Sequence, residues 1–186
     1  MKAFNLLIIL ILVFAMSSCT FSFDIPRVRK GETQIFEINE EPFSDAEVAS
    51  INIEMGAGSL DISGGSEKLM EGTITYNIVT WEPQLIRKDD SITIKQNRDA
   101  AAVDEYRNEW DLKLGATPIE LDLGAGAYEG NLDLGGLAIT RLSIADGASK
   151  SKVSFSEPNA VEMDKFTYQT GASTVELNGL GNARAD

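Results

Sequence analysis

Met55-Gly56-Ala57-Gly58 recurs as Leu123-Gly124-Ala125-Gly126, and more loosely as Asp146-Gly147-Ala148-Ser149 and Thr170-Gly171-Ala172-Ser173. The first Gly of the last three copies stands at 124, 147 and 171, intervals of 23 and 24 residues. Each copy is followed by a short alternating run, a turn and a second run. An interval of that size is one coil of a β-helix, and stacked coils bury a continuous core. A corner that needs positive φ takes Gly without steric cost, and the small Ala fits inward where the coil narrows. A sandwich has no use for one tripeptide at a fixed interval. The fold expected is all-β, a single-stranded β-solenoid with coils of about 23 residues; a β-sandwich is the alternative.

Around these corners, period-two alternation dominates. Ile51, Ile53 and Met55 alternate with Asn52 and Glu54; Ile74, Tyr76 and Ile78 with Thr75 and Asn77; Trp110, Leu112 and Leu114 with Asp111 and Lys113. Ile119, Leu121 and Leu123 enclose Glu120 and Asp122, and shorter runs lie at 92–94, 132–134, 142–144, 153–155 and 175–177. Such patterning marks half-buried strands. Gly, Asn, Asp and Ser punctuate between them, as turns require. Residues 100–108 are the one tolerable helix candidate, and they read as a loop.

The N-terminus is of another kind. Lys2 precedes an apolar run from Leu6 to Met16, eleven residues long. Spanning a bilayer takes about 20, whereas a signal-peptide core takes roughly 7–15. Cys19 follows and is the only cysteine, so no intramolecular disulfide exists. Met16-Ser17-Ser18-Cys19 resembles the bacterial lipobox, with Met where that motif usually has Leu. The resemblance implies cleavage after Ser18 and a lipid on Cys19. Several acyl chains together would anchor stably. An ordinary secretory cleavage between Ser18 and Ser22 is the alternative. The domains expected are a signal peptide over 1–18, a tether over 19–33 and a β-solenoid over 34–186. Thr20 follows the cysteine. In a Gram-negative cell a residue other than Asp there favours the outer membrane; in a Gram-positive cell the site is the outer face of the plasma membrane.

The mature chain is long enough for one domain with a buried core. There are 29 acidic and 16 basic residues in 186, for a formal charge of −13. Nucleic-acid phosphates would be repelled by that charge. Arg27, Arg29 and Lys30 are a local exception, in the tether. The sequence has no histidine, which excludes a Ser-His-Asp triad, a Cys-His dyad and a His-ligated zinc site. No cofactor is expected.

Glu54-Met55-Gly56-Ala57-Gly58-Ser59-Leu60-Asp61-Ile62, then Gly64-Gly65, then Glu71-Gly72-Thr73-Ile74-Thr75-Tyr76-Asn77, resembles the toast-rack family of bacterial envelope proteins. So do Trp81-Glu82-Pro83, Asn108-Glu109-Trp110-Asp111-Leu112 and Leu121-Asp122-Leu123-Gly124-Ala125-Gly126. The likeness covers about residues 48–182. It implies a right-handed β-helix-like domain, related to putative-adhesin domains and to the C-terminal domain of a cell-envelope stress regulator. It carries over no catalytic residues. Residues 177–186 look like a turn into another coil, so an open C-terminal edge is expected, one that must pair, be capped or continue.

The outward acidic residues are the clearest chemical feature. Glu54, Asp61, Asp111, Glu120, Asp122 and Asp133, with Glu176, alternate with buried apolar positions. Stacked coils could align some into a surface that binds a cation or cationic partner; a merely solvating face, which blunts aggregation, is the plainer reading. Glu120 and Asp122 lie about 6–7 Å apart along one strand face, a spacing that glycosidase chemistry permits. Asp61 lies three residues after Gly58, off the calcium nonapeptide pattern, which rejects that site. Gly56-x-Gly58 has no helix after it to hold a phosphate. Trp81 and Trp110 either pack under loops or form a sugar platform. The function expected is a lipid-anchored, extracytoplasmic, non-enzymatic surface module, binding an envelope protein or glycan or sensing the envelope. A glycan-active hydrolase or lyase and a structural spacer are the alternatives.

Overall fold

The structure, a computed structural model, describes residues 29–97 and 106–185. Cys19, the signal segment and most of the 100–108 loop lie outside the described residues. The elements in order are β1 (Lys30–Glu40), β2 (Ala49–Ser66), β3 (Met70–Ile78), a 3-10 turn (Val79–Trp81), β4 (Gln84–Lys88) and β5 (Ser91–Lys95). Then come β6 (Asn108–Gly115), β7 (Ile119–Asp133), β8 (Ile139–Ser154), β9 (Lys165–Thr170), β10 (Thr174–Asn178) and a short helix α1 (Leu180–Ala183). The domain is all-β.

The long strands β2, β7 and β8 lie parallel and in register. Each is a coil of two legs that meet at a glycine. In β7, Ile119, Leu121, Leu123 and Ala125 are buried before the corner, and Tyr128 and Leu132 after it. The alternation therefore slips by one residue at the corner, so both legs face the same core. In β2 the same slip separates Ala49, Ile51, Ile53 and Met55 from Leu60 and Ile62. The last coil is split: β9 pairs with the first leg of β8 and β10 with its second.

The corner glycines differ from the sequence reading in two ways. First, Met55 pairs with Ala125 and Ala57 with Ala127, which sets Gly126, not Gly124, over Gly56. The column is Gly56, Gly126, Gly147 and Gly171, and the intervals over the last three are 21 and 24 residues. Second, none of these four has positive φ. Their requirement is close approach. A Cβ on Gly126 would stand 2.4 Å from the Gly56 carbonyl oxygen; on Gly147, 2.8 Å from that of Gly126; on Gly171, 2.5 Å from that of Gly147. Real Cβ atoms do not come so near, so Gly126, Gly147 and Gly171 are glycine because the preceding corner lies against each. Of the alanines, Ala125 points inward, whereas Ala148 and Ala172 are exposed.

One layer is out of sequence order. β5 pairs parallel with the first leg of β2, and β6 parallel with its second. Together they make a coil in front of β2, although they follow it in the chain. The layers therefore run β5/β6, β2, β7, β8, β9/β10. Antiparallel strands close the front: β4 on β5, and β3 then β1 on β6. The stack buries continuous columns: Ile92, Ile51, Leu121 and Leu142 in one, Ile94, Ile53, Leu123 and Ile144 in the next, all at 2% exposure or less. On the second legs Leu112, Ile62, Leu132 and Val153 do the same. Burial weakens at the last layer, where Phe166, Tyr168 and Val175 are half-buried and Leu177 is 38% exposed.

The β5/β6 coil has no corner glycine. Buried Gln96 and Asn108 span that corner instead. Asn108 Nδ2 donates to Gln96 Oε1 at 2.8 Å and to the Ala57 carbonyl at 2.6 Å. Its Oδ1 accepts from Gln96 Nε2 and from Trp110 Nε1, both at 3.1 Å. On the turn side, buried Asn159 stands in for a strand: its Oδ1 accepts from the Ile139 N–H at 2.9 Å and its Nδ2 donates to the Ile139 carbonyl at 2.8 Å. Buried polar side chains thus complete backbone ladders that the coils leave open.

Candidate functional site: the outward faces of the coils

Because the two legs turn inward to one core, their outward residues make two separate faces. The first-leg face runs across β5, β2, β7, β8 and β9. One of its rows reads Thr93, Asn52, Asp122, Ser143 and Thr167; another reads Ser91, Ser50, Glu120, Arg141 and Lys165. The second-leg face is seven strands wide, in the order β1-β3-β6-β2-β7-β8-β10. Its central row reads Glu37, Thr73, Asp111, Asp61, Asn131, Lys152 and Glu176.

The six carboxylates divide between these faces. Glu54, Glu120 and Asp122 lie on the first; Asp61, Asp111 and Asp133 lie on the second. Arg141 on the neighbouring coil approaches Glu120 to 3.7 Å, and Glu54 is in register with Lys95. Asp61 and Asp111 sit side by side across the β2–β6 pair, at a strand spacing of about 4.8 Å. The row then continues through Asn131, whose Nδ2 donates to Asp61 Oδ1 at 3.3 Å, and through Lys152. Acid, amide and amine therefore succeed one another along it. Asp133 ends β7: partial burial opposes its charge, but hydrogen bonds from Ser156, Gly135 and Ser154 outweigh that and hold its carboxyl below the usual range. The Gly135 and Ser156 N–H groups donate to its Oδ1 at 3.1 and 3.2 Å.

Two shallow grooves indent the second-leg face. One, of about 460 Å³, is lined by Asp61, Glu129, Asn131, Lys150, Lys152 and Glu176 among others. The other, of about 400 Å³, is lined by Glu37, Lys68, Glu71, Asp111 and Lys113 among others. Lys150 and Glu129 bridge at 3.5 Å on this face, both largely exposed. Both signs of charge thus alternate over a rigid backbone, a surface suited to a polar partner and, at this exposure, sensitive to salt. Among the described residues no group of three or more acidic or cysteine side chains converges on a metal position, and no helix is long and apolar enough to cross a membrane.

Both tryptophans pack. Trp110 is 1% exposed and donates to Asn108; Trp81 is 2% exposed and meets Tyr106 edge to face at 5.3 Å. Neither can serve as an open sugar platform.

A polar cluster inside the last corners escaped the sequence reading. Asp146 stands where β2 has Met55 and β7 has Ala125, just before the corner. Its Oδ2 accepts from Ser149 Oγ at 3.0 Å and Tyr168 Oη at 2.6 Å; its Oδ1 accepts from Ser173 Oγ at 3.0 Å and from Thr170. Partial burial would raise the Asp146 carboxyl, but these hydroxyl donors outweigh it and hold it below its ordinary value. Tyr168 also meets Ser151 at 2.7 Å. Beside it, burial pushes the Tyr128 phenol far up, and its hydroxyl makes no well-formed hydrogen bond. The visible signal was the loosened repeat: Asp146 and Thr170 replace an apolar residue before the corner, and Ser149 and Ser173 follow it.

Comparison with known proteins follows from this geometry. The family model described as the N-terminal domain of toast_rack matches residues 26–178. No curated protein sequence matches the chain. Among solved structures, the chain is similar to one described as a "putative cell adhesion protein" from Clostridium sporogenes. The two are 29% identical, with 80% of this chain and 73% of that one covered, at a TM-score of 0.64. A "putative adhesin" from Parabacteroides distasonis is 13% identical over 79% of this chain and 97% of that one, at a TM-score of 0.28. With a family match over most of its length, the chain belongs to the toast-rack N-terminal domain family.

Proposed function

We propose that this protein is an extracytoplasmic, non-enzymatic binding module, held on the membrane by a lipid on Cys19 and presenting its second-leg face to a polar envelope partner, protein or glycan. The observation that carries the reading is that face: seven hydrogen-bonded strands wide, and patterned with both signs of charge around two shallow grooves. The likeness to the Clostridium sporogenes structure supports an adhesion-like role. A rigid β scaffold suits this work, because little conformational freedom is lost on binding. The anchor reading rests on the lipobox-like Met16-Ser17-Ser18-Cys19 and places the domain outside the cytoplasm.

Metabolic labelling with a fatty acid, wild type against Cys19→Ala, tests the anchor; unchanged labelling overturns it. For the face, fluorescent full-length protein carrying Cys19→Ala is incubated with isolated cell wall and with intact cells. Retention that falls several-fold in Asp61→Lys/Asp111→Lys, with no release of reducing ends from the glycan, supports non-enzymatic binding. Release of reducing ends replaces it with the hydrolase reading.

A further inference from the structure

The tether joins the domain at an end whose surface differs from the rest. β1 starts at Lys30, β3 stops at Ile78 and β6 starts at Asn108, and antiparallel pairing sets these three ends side by side. The 3-10 turn leaves β3 here. The Val79 N–H donates to the Arg29 carbonyl at 3.3 Å, and the Asn77 N–H to the Arg107 carbonyl at 3.1 Å. Val79 is 59% exposed and Tyr106 42%; Ile35, in register with Thr75 of β3, is 65% exposed. Among the described residues seven large apolar side chains are exposed, and three of the seven gather at this end. Tyr106 stands edge to face on Trp81 at 5.3 Å, which fixes its ring at this surface.

The charges differ as well. Arg27, Arg29 and Lys30 are three cations within four residues of sequence, and Arg107 follows Tyr106. The carboxylates at this end are Glu32, Glu82 and Glu109, and Arg107 bridges to Glu109 at 2.8 Å. Four cations against three anions leave the end near neutral on a chain whose formal charge is −13. An anionic surface therefore repels this end less than the remainder of the domain.

We propose that this end of β1, β3 and β6 rests on the phospholipid bilayer that holds the anchor. Val79 and Ile35 sit at the headgroup–acyl boundary, Tyr106 at the headgroups, and the basic side chains at lipid phosphates. The inference rests on the lipid at Cys19. From Cys19 to Arg29 is ten residue steps, at most about 35 Å. So short a tether holds the domain at the bilayer at an effective concentration of the order of millimolar, and a contact too weak to capture a free protein suffices. Tyrosine suits that depth, with an apolar ring and a polar tip, and Lys and Arg stems carry their charge outward to phosphates. The contact is apart from the two grooves of the second-leg face, whose linings include none of Ile35, Val79 and Tyr106.

Cys19 is the only cysteine, and the anchor consumes its thiol. Val79→Cys and Leu180→Cys therefore each give the full-length lipoprotein one thiol for an environment-sensitive NBD label. Leu180, 46% exposed, follows β10 six strand steps across the sheet and serves as the control. Both proteins are reconstituted into vesicles of phosphatidylethanolamine and phosphatidylglycerol, with a nitroxide lipid as quencher. The label at 79 is expected to shift to the blue and to be quenched several-fold more than the label at 180. Arg29→Glu/Arg107→Glu lowers that quenching several-fold while the protein still floats with the vesicles. Equal signals at 79 and 180 in floating protein overturn the inference and leave the anchor standing. Protein that does not float overturns the anchor, and this inference with it. A blue shift at 79 that grows with protein density and escapes the nitroxide seats a second copy there, and also overturns it.

Discussion

Asn108→Ala tests whether a buried amide substitutes for a corner glycine. Asn108 is 2% exposed and makes four side-chain hydrogen bonds that tie β6 to Gln96, to the Ala57 carbonyl of the next coil and to Trp110. Truncation takes a partner from the Trp110 N–H, the Ala57 carbonyl and both ends of the Gln96 amide. A buried group left without a partner costs about 1–3 kcal/mol. The Gln96 amide can re-aim and a water can enter the small void, so the sum falls well short of four full penalties, at about 3 kcal/mol. For a domain of this size that is a drop of about 6–12 °C in Tm. The assay is urea denaturation followed by tryptophan fluorescence, with the slope compared to establish that both variants unfold from equally compact states. Asn108→Asp sharpens it. The carboxylate keeps the shape but loses the donor to Ala57 and brings a charge into a dry corner. Burial raises its pKa in the folded state, so its deficit is smallest in acid and grows as pH rises above about 3.9. A loss below about 1 kcal/mol for Asn108→Ala, or a pH-independent Asn108→Asp, refutes the assignment of this amide as the corner's support.

Four further outcomes follow from particular contacts. Gly126→Ala, whose Cβ would meet the Gly56 carbonyl at 2.4 Å, loses about 2–4 kcal/mol in the same denaturation assay. Gly181→Ala, which meets nothing within 4 Å in the exposed turn of α1, gains up to about 1 kcal/mol. Asp146→Asn removes a charge held by four hydroxyl donors, and its effect depends on pH. Because the Asp146 carboxyl is depressed in the fold, its contribution is present above the unfolded pKa of about 3.9 and is lost as pH falls through the lower folded value. The wild type's acid-side loss of stability should therefore be shallower in Asp146→Asn, measured as midpoints between neutral pH and pH about 2. Arg87→Ala removes the ion pair to Glu40 at 2.9 Å, the bond to the Glu41 carbonyl and the stacking over Phe43 at 3.8 Å. It costs about 1 kcal/mol and loosens the 41–48 loop to limited proteolysis.

Much of this architecture was legible in the residues alone. Alternation named the inward side chains of β2, β5, β6, β7 and β8, because a strand has only two faces and the core accepts only apolar ones. The recurring Gly-Ala tripeptide announced corners. The tryptophans, ambiguous in sequence, are settled by burial.

Three things needed the tertiary structure. Gly124 and Gly126 are equivalent as letters, and only the Gly56 carbonyl lying 2.4 Å from a Cβ on one of them tells which is the corner. The acidic residues are equally outward in sequence, yet the slip at each corner sends Glu120 and Asp122 to one face and Asp61 and Asp111 to the other. The order of layers was hidden as well. Ile92 and Ile94 could stack on any coil, since a column of aliphatic side chains is indifferent to which neighbour it meets. What put β5/β6 in front of β2 was shape: Asn108 fits against Gly58, where a Cβ would stand 2.1 Å from the Asn108 carbonyl oxygen. Patterning decides that a residue is inside, whereas close contact between backbones decides beside what, and such contacts exist only once the chain has folded.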